Sequence, residues 1–129
     1  MSNATDKPAQ QTWSVLVLDM FNYMDEGSER LIQGFESPEA AIEYARRRVR
    51  SSVEEMRPTA RDAEGIRSQW FMFGEDCIAL GAGYKGLDEL DYYIANPATP
   101  EEIDWASLEP NPQLRALLMA VAKQEKVSS

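Results

Sequence analysis

The chain has 129 residues, about the size of one domain, and 43% of them are hydrophobic, which is enough for one ordinary core. Its 13 lysines and arginines face 22 aspartates and glutamates, so the net charge of -9 repels the phosphates of nucleic acids. Histidine is absent and cysteine occurs once, which excludes Ser-His-Asp and Cys-His triads, internal disulfides and zinc sites built from histidine or several cysteines. We therefore expect no nucleic-acid binding and no cofactor.

The beginning of the chain carries no targeting signal that we recognise. Residues 1–11 are polar, and the short apolar segment from Val15 to Leu18 ends at Asp19. That segment is too short for the core of a signal peptide or for a membrane span. With a lone cysteine, which is typical of a reducing compartment, this predicts a cytoplasmic protein without membrane association. We predict a disordered tail at residues 1–11 and a single α+β domain at residues 12–129.

Strand patterns occupy three places. Trp13 to Phe21 is apolar on both alternating faces, which predicts a central strand covered on two sides. A polar stretch with Gly27 follows it, so Arg30 to Phe35 can return as the second strand of a hairpin. Cys77 to Leu80 is a short apolar run between Asp76 and Gly81 and predicts a third strand.

The clearest element is a long helix at residues 37–57. Ser37 suits the N-cap and Pro38 the first helical position, and Pro58 ends the pattern. One apolar stripe runs along this helix at 100° per residue, formed by Ile42, Ala45, Val49, Val53 and Met56. We expect this stripe to pack on the sheet.

Further helices are predicted after it. Thr59 to Phe73 has helical spacing of its large apolar residues and is followed by Gly74, while Asp88 to Ala95 predicts a short helix. Short helices also begin at the capping box from Thr99 to Glu102 and at Asn111-Pro112. The fold class we predict is α+β, with a small, mainly antiparallel three-stranded sheet covered by one long helix and short C-terminal helices.

Several signals have both a chemical and a structural interpretation. The segment from Gly81 to Gly86 fits G-x-G-x-x-G, but the acids that follow it oppose a pyrophosphate, so we interpret it as a turn. Asp19 ends a strand and is expected to accept turn amides. Cys77 lies in an apolar run and is expected to be a buried, unreactive thiol. The arginines at 46, 47, 48 and 50 are interpreted as a solvated helix flank, with Glu43 pairing with Arg47.

Two short motifs resemble a known family. Asn22-Tyr23-Met24-Asp25-Glu26 precedes a return strand and an alanine-rich helix, and Phe73-Gly74-Glu75-Asp76 follows them. In these features the chain resembles a family of small uncharacterised bacterial proteins with a Tyr-Met-Asp-Glu loop and a Phe-Gly-Glu-Asp segment. The resemblance spans about residues 13–80 and implies a bacterial cytoplasmic α+β domain without an assigned activity.

The two motifs also suggest a partner-binding site. If the hairpin tip meets the segment after the second helix, an acidic, partly aromatic corner forms from Tyr23, Asp25, Glu26, Glu75 and Asp76. Acidic residues predominate at 19–29 and 75–110, whereas residues 30–67 hold eight bases and seven acids. An uneven acidic charge of this kind favours a basic protein partner over an anionic ligand.

We therefore expect a non-enzymatic protein-interaction or regulatory domain that binds a basic surface. An alternative is a metal-dependent hydrolase or small-ligand binder that uses the carboxylates near 25–26 and 75–76. A third is a nucleic-acid mimic or a toxin-neutralising protein. The sequence leaves the oligomeric state open.

Overall fold

The computed structural model of the chain describes residues 12–21 and 28–128. The predicted tail at residues 1–11 and the hairpin tip at residues 22–27 lie outside this described part. Within it, the strands are Trp13–Asp19 (β1), Glu29–Phe35 (β2), Glu75–Leu80 (β3) and Tyr84–Lys85 (β4). The helices are Pro38–Met56 (α1), Ala63–Phe73 (α2), Leu90–Ala95 (α3) and Pro112–Ser128 (α4). Turns of 3-10 helix lie at Arg57–Thr59, Gly86–Glu89, Glu101–Ile103 and Ala106–Leu108.

The sheet is antiparallel, with the strand order β2-β1-β3-β4. The α+β class is confirmed, but the prediction of three strands is wrong, because the described residues form four. β4 pairs Tyr84 with Ala79 and Lys85 with Ile78. Gly81 and Gly83 in the connecting turn have φ values of 75° and 80°, a backbone conformation that residues other than glycine rarely adopt. The glycine-rich segment therefore forms the turn of a hairpin.

The long helix begins where its capping chemistry predicts. Ser37 Oγ accepts the N–H of Ala40 at 3.0 Å, and Pro38 is the first helical residue. The apolar stripe covers the sheet, with Ala45, Val49 and Val53 fully buried and both ends of the stripe partly buried. Each fully buried valine stabilises the fold by about 1.5–3 kcal/mol.

The two faces of the sheet have different surroundings. The inner face packs against α1 and is buried at Val15, Val17, Cys77 and Ala79. The outer face carries an apolar patch, because Leu16 pairs with Leu31 on one side and with Ile78 on the other, and Leu18 and Leu80 continue this patch. Leu31 and Leu80 are 49% and 41% exposed. Within the described residues, β1 is therefore fully buried on its inner face at Val15 and Val17 and half-buried on its outer face at Leu16 and Leu18.

The last helix is longer than predicted, with 17 residues against 19 in α1. Asn111 Oδ1 caps it by accepting the N–H groups of Gln113 and Leu114 at 2.9 and 3.0 Å. α4 contacts the turn Ala106–Leu108, and most of its apolar side chains are exposed. In the part of the chain that the structure describes, no helix combines the length and hydropathy needed to cross a membrane.

Candidate functional site

Glu75, one of the predicted site residues, is held by two arginines. Arg48 on α1 donates from Nε to Glu75 Oε1 at 2.9 Å and from Nη2 to Oε2 at 3.3 Å. Arg30 on β2 donates from Nη2 to Oε2, also at 3.3 Å. A bidentate arginine contact of this kind fixes the orientation of the carboxylate and balances its charge. Glu75 therefore joins α1 to both β2 and β3.

Arg48 is the centre of this network, and the sequence interpretation of it as a solvated flank is wrong. Its side chain is only 8% exposed, its Nη1 donates to Tyr44 Oη at 2.6 Å, and its guanidinium lies 4.1 Å from the Trp105 ring centroid. Burial alone lowers the pKa of Arg48, but the hydrogen bonds and charge of Glu75 outweigh it, so the pKa is raised. Burial also raises the pKa of Tyr44 to about 12, although Arg48 opposes this.

Asp76, the other predicted site residue in the described part, is buried and satisfied by backbone amides. Its Oδ1 accepts the N–H of Cys77 at 2.8 Å and that of Leu87 at 3.1 Å. Burial raises the pKa of Asp76, while these two N–H groups and Lys85 pull it down. Asp76 thus ties β3 to the turn Gly86–Glu89.

The predicted corner is therefore only partly visible. The structure places Glu75 and Asp76 side by side in β3 and gives each carboxylate an internal partner, whereas Tyr23, Asp25 and Glu26 lie outside the described residues. Partner binding by this corner stays a prediction.

A groove of about 260 Å³ lies beside Glu75. Asp19 lines it and accepts the N–H of Phe21 at 3.0 Å, the turn contact that the sequence predicts. Glu55 also lines it, and burial together with the charge of Glu75 raises the pKa of Glu55. Among residues 12–21 and 28–128, no group of three histidine, cysteine or acidic side chains is arranged to hold a metal ion. The described residues of the groove therefore provide no set of metal ligands of the kind that the metal-dependent alternative requires.

Cys77 is fully buried on the inner face of the sheet, as the sequence predicts. Burial raises the pKa of its thiol, so the thiolate, which is the reactive form, is disfavoured.

A second groove, of about 540 Å³, separates α1 from the segment Gly86–Ala95. Arg46 and Arg50 line one side, Asp88 and Glu89 the other, and Tyr92 lies at its opening with 61% of its surface exposed. The side of the groove formed by α1 is fixed by Arg50, which the solvated-flank prediction also misplaces. Arg50 is buried, donates from Nη2 to the Asn96 carbonyl at 2.6 Å, and stacks 4.9 Å from the ring centroid of Tyr93.

The opposite side of this groove is held by linked side chains. Tyr93 Oη donates to Glu89, and Tyr84 Oη lies 2.9 Å from Tyr93 Oη. Burial and the hydrogen bond to Glu89 raise the pKa of Tyr93 to about 12. Arg46 pairs with Glu89 at 3.7 Å, which closes the network back to α1. Hydrogen bonds therefore hold the aromatic floor of the groove, while most of the Tyr92 ring is exposed to solvent.

Some arginines of the described chain form ion pairs and others do not. Arginines in pairs are Arg30, Arg46, Arg47, Arg48, Arg50, Arg57 and Arg67. The predicted Glu43–Arg47 pair is among them, at 2.8 Å. Exposed carboxylates without a cationic partner within 4.0 Å among the described residues include Glu29, Glu36, Glu39, Glu64, Asp88 and Glu101. Arg61, Lys85, Arg115 and Lys123 form no such pair among the described residues, so the excess of acidic charge reflects the 22 acids against 13 bases of the sequence.

We define the acidic surface as Asp88, Glu89, Asp91, Glu101 and Glu102. The first three lie on the segment Gly86–Ala95, and Glu102 is joined to the same groove through Arg50 at 3.8 Å. The sequence shows that residues 75–110 are acidic, but it does not place Glu102 near Tyr92, because Arg50 makes that connection across the fold.

Comparison with known proteins gives no match: no family model matches the chain, and no curated protein or solved structure matches it either. The likeness to the small bacterial family stays a prediction that rests on its two motifs.

Proposed function

We propose that the protein is a non-enzymatic, cytoplasmic interaction domain that binds a basic protein surface through its acidic surface. The observation that carries this proposal is the internal use of arginine, which leaves Asp88 and Glu101 exposed without a cationic partner among the described residues. Complementary charge of this kind speeds and orients association with a basic partner.

Tyr92 gives the acidic surface a specific contact. Its exposed ring stands at the opening of the groove beside Asp88 and Glu89. An aromatic face next to carboxylates suits a lysine or arginine side chain, which gains a cation–π contact and an ion pair together. Tyrosine is also enriched among the residues that dominate binding energy at protein interfaces. The acidic surface therefore combines long-range attraction with one anchoring ring.

Titration calorimetry with a lysine-rich peptide tests the proposal. We expect binding that weakens as salt rises, because ionic attraction between exposed charges is screened. The double variant Asp88→Asn, Glu101→Gln should weaken binding about fivefold, from the loss of two exposed ion pairs. Tyr92→Ala should weaken it further through loss of the ring contact.

The matched control is Glu36→Gln with Glu39→Gln, which changes the net charge equally near the start of α1. This control should bind the peptide almost as the wild type does. If both double variants weaken binding equally, only net charge matters, and the acidic surface is not the binding site. A thermal melt with Mg²⁺ and Ca²⁺ separates the metal-dependent alternative, which requires a metal-specific rise in melting temperature.

A further inference from the structure

The outer face of the sheet carries a patch of apolar side chains where a solvent-facing sheet ordinarily carries polar ones. An antiparallel sheet with one face in water alternates between apolar and polar residues along each strand. Here four of the six outward positions of the two central strands are apolar, namely Leu16, Leu18, Ile78 and Leu80, while Ser14 and Asp76 are polar. The neighbouring strand β2 adds Leu31. Leu31 and Leu80 lie well exposed at the two sides of this patch. We call these five residues the outer sheet face.

The last helix has an apolar face of its own that the described chain leaves exposed. Leu114, Leu117, Leu118 and Val121 fall within one arc of the helix at 100° per residue. Leu117 is 60% exposed and Val121 48%, while Leu118 is half-buried. Isolated helices of about this length are marginal in water, and amphipathic helices in proteins owe most of their stability to packing.

We propose that α4 of one molecule packs on the outer sheet face of a second copy, and that the reciprocal contact makes a symmetric dimer. The two surfaces are chemically matched, since a leucine-rich helix on a leucine-rich sheet repeats the arrangement that α1 makes on the inner face. A contact in which the same two surfaces meet on both copies closes at two subunits. This inference is independent of the acidic surface and of the proposed function.

Charge complementarity favours a second copy as the occupant. The sequence of α4 holds Arg115, Lys123 and Lys126 against one acid, Glu125, so the segment 112–128 carries +2. The net charge of the whole chain is -9, so the rest of the chain carries -11. Glu29, exposed at the edge of the outer sheet face, has no cationic partner within 4.0 Å in the described chain. A cationic apolar helix is thus attracted to the acidic body of another copy.

The area is sufficient for a specific contact. A helix of 17 residues is about 25 Å long and about 10 Å wide, and so covers a footprint of about 250 Å². Two symmetric contacts remove this footprint from both partners, which gives about 1,000 Å² of buried surface, the lower limit for a specific interface. We therefore expect a dimer that dissociates on dilution.

Light scattering coupled to gel filtration tests the proposal with matched variants. The wild type should have twice the mass of one chain at high concentration and approach that of a single chain on dilution. Leu117→Glu and Leu31→Glu should each be monomeric at the same high concentration. Met119→Glu is the control, because Met119 is also exposed but lies on the opposite side of α4. It should remain a dimer.

Circular dichroism checks the fold of each variant, and we expect all of them to remain folded because the altered side chains are half exposed. A wild type that stays monomeric at high concentration overturns the proposal, and it would mean that residues 1–11 or another protein covers the outer sheet face. A Leu31→Glu variant that still dimerises also overturns it, because the helices would then pair with each other.

Cross-linking identifies which surfaces meet. Leu117→Cys and Leu31→Cys are prepared separately, mixed and treated with a short bismaleimide, while the buried native Cys77 is protected from the reagent. The proposal predicts a cross-linked dimer that forms in the mixture and not in either variant alone. Cross-linking of Leu117→Cys with itself would overturn the proposal in favour of helix pairing.

Discussion

α1 and α4 have similar sequences in the features that make a helix, yet they have opposite surroundings. Each begins with a polar cap followed by proline, and each carries one apolar stripe, in helices of 19 and 17 residues. The stripe of α1 is buried on the sheet, whereas Leu117 at the centre of the α4 stripe is 60% exposed. Helical periodicity therefore predicts that a face of a helix becomes covered, but it does not identify the surface that covers it.

The largest expected effect is a difference in the loss of unfolding free energy when a charge is placed in the stripe of α1 or in the stripe of α4. Val49→Asp puts a carboxylate into the fully buried stripe of α1 and should cost at least about 4 kcal/mol of unfolding free energy. Leu117→Asp should cost less than about 0.5 kcal/mol in dilute, monomeric protein, because its side chain is already in water. Urea unfolding measures both values. Similar losses for the two variants would contradict the contrast between the helices.

A smaller difference is expected between an arginine of each helix. Arg48 of α1 is buried on Glu75, so Arg48→Ala leaves a partly buried carboxylate with only Arg30 and should cost about 3 kcal/mol. Among the described residues, Arg115 of α4 donates a hydrogen bond to the carbonyl of Glu109 alone, at 3.1 Å, and Arg115→Ala should cost less than about 1 kcal/mol. Chemical denaturation at neutral pH checks both values, and a larger loss for Arg115→Ala would reverse the comparison.

Asp76 is a buried, titrating group of β3. Its pKa is raised above the ordinary value of 3.8, so the native state holds this proton more tightly than the unfolded chain does. The contribution of Asp76 to stability should therefore fall as pH rises from about 4 through the raised pKa.

Asp76→Asn keeps an oxygen that accepts from Cys77 and Leu87 but removes the charge, so stability should depend less on pH above about 4. Asp76→Ala leaves both N–H groups without this acceptor and should cost about 2 kcal/mol. Thermal melts across pH measure these effects. A pH profile of Asp76→Asn identical to that of the wild type would show that this carboxyl does not titrate as described.

The smallest expected effect is the change in stability when the N-cap residue of α1 or of α4 is replaced by alanine. Ser37→Ala should lower global stability by about 1 kcal/mol, because α1 is part of the cooperative core. Asn111→Ala removes the corresponding cap from α4 but should leave the urea midpoint unchanged and only speed amide exchange in the first turn of that helix. Equal shifts in the urea midpoint would mean that α4 unfolds together with the core.

Local chemistry in the sequence predicted much of the fold. The Ser37-Pro38 start of α1 was predictable because a cap depends on neighbouring residues, and the capping box is present too, with Thr99 N–H donating to Glu102 Oε1 at 2.9 Å. β4 was not predictable, because two residues show no periodicity and the strand exists only by pairing with β3.

The candidate site was less predictable because its contacts are distant in sequence. Arg48 reaches Glu75 and Trp105, and Arg50 reaches Tyr93 and Glu102, so neither burial follows from the helix pattern of α1. The acidic excess of residues 75–110 was visible, but its arrangement around Tyr92 depends on these long-range contacts. Two arginines of the cluster, Arg48 and Arg50, are therefore buried and connect α1 to distant parts of the chain.

Hydrogen exchange of the wild-type chain at two protein concentrations tests most directly whether α4 finds its partner in a second molecule. Amides of α1 should exchange slowly at both concentrations, while amides of α4 should exchange quickly in dilute protein and slowly in concentrated protein. Slow exchange of α4 at the lower concentration would mean that the helix is covered within its own chain. Fast exchange at both concentrations would mean that a second copy does not cover it, and either result contradicts the account.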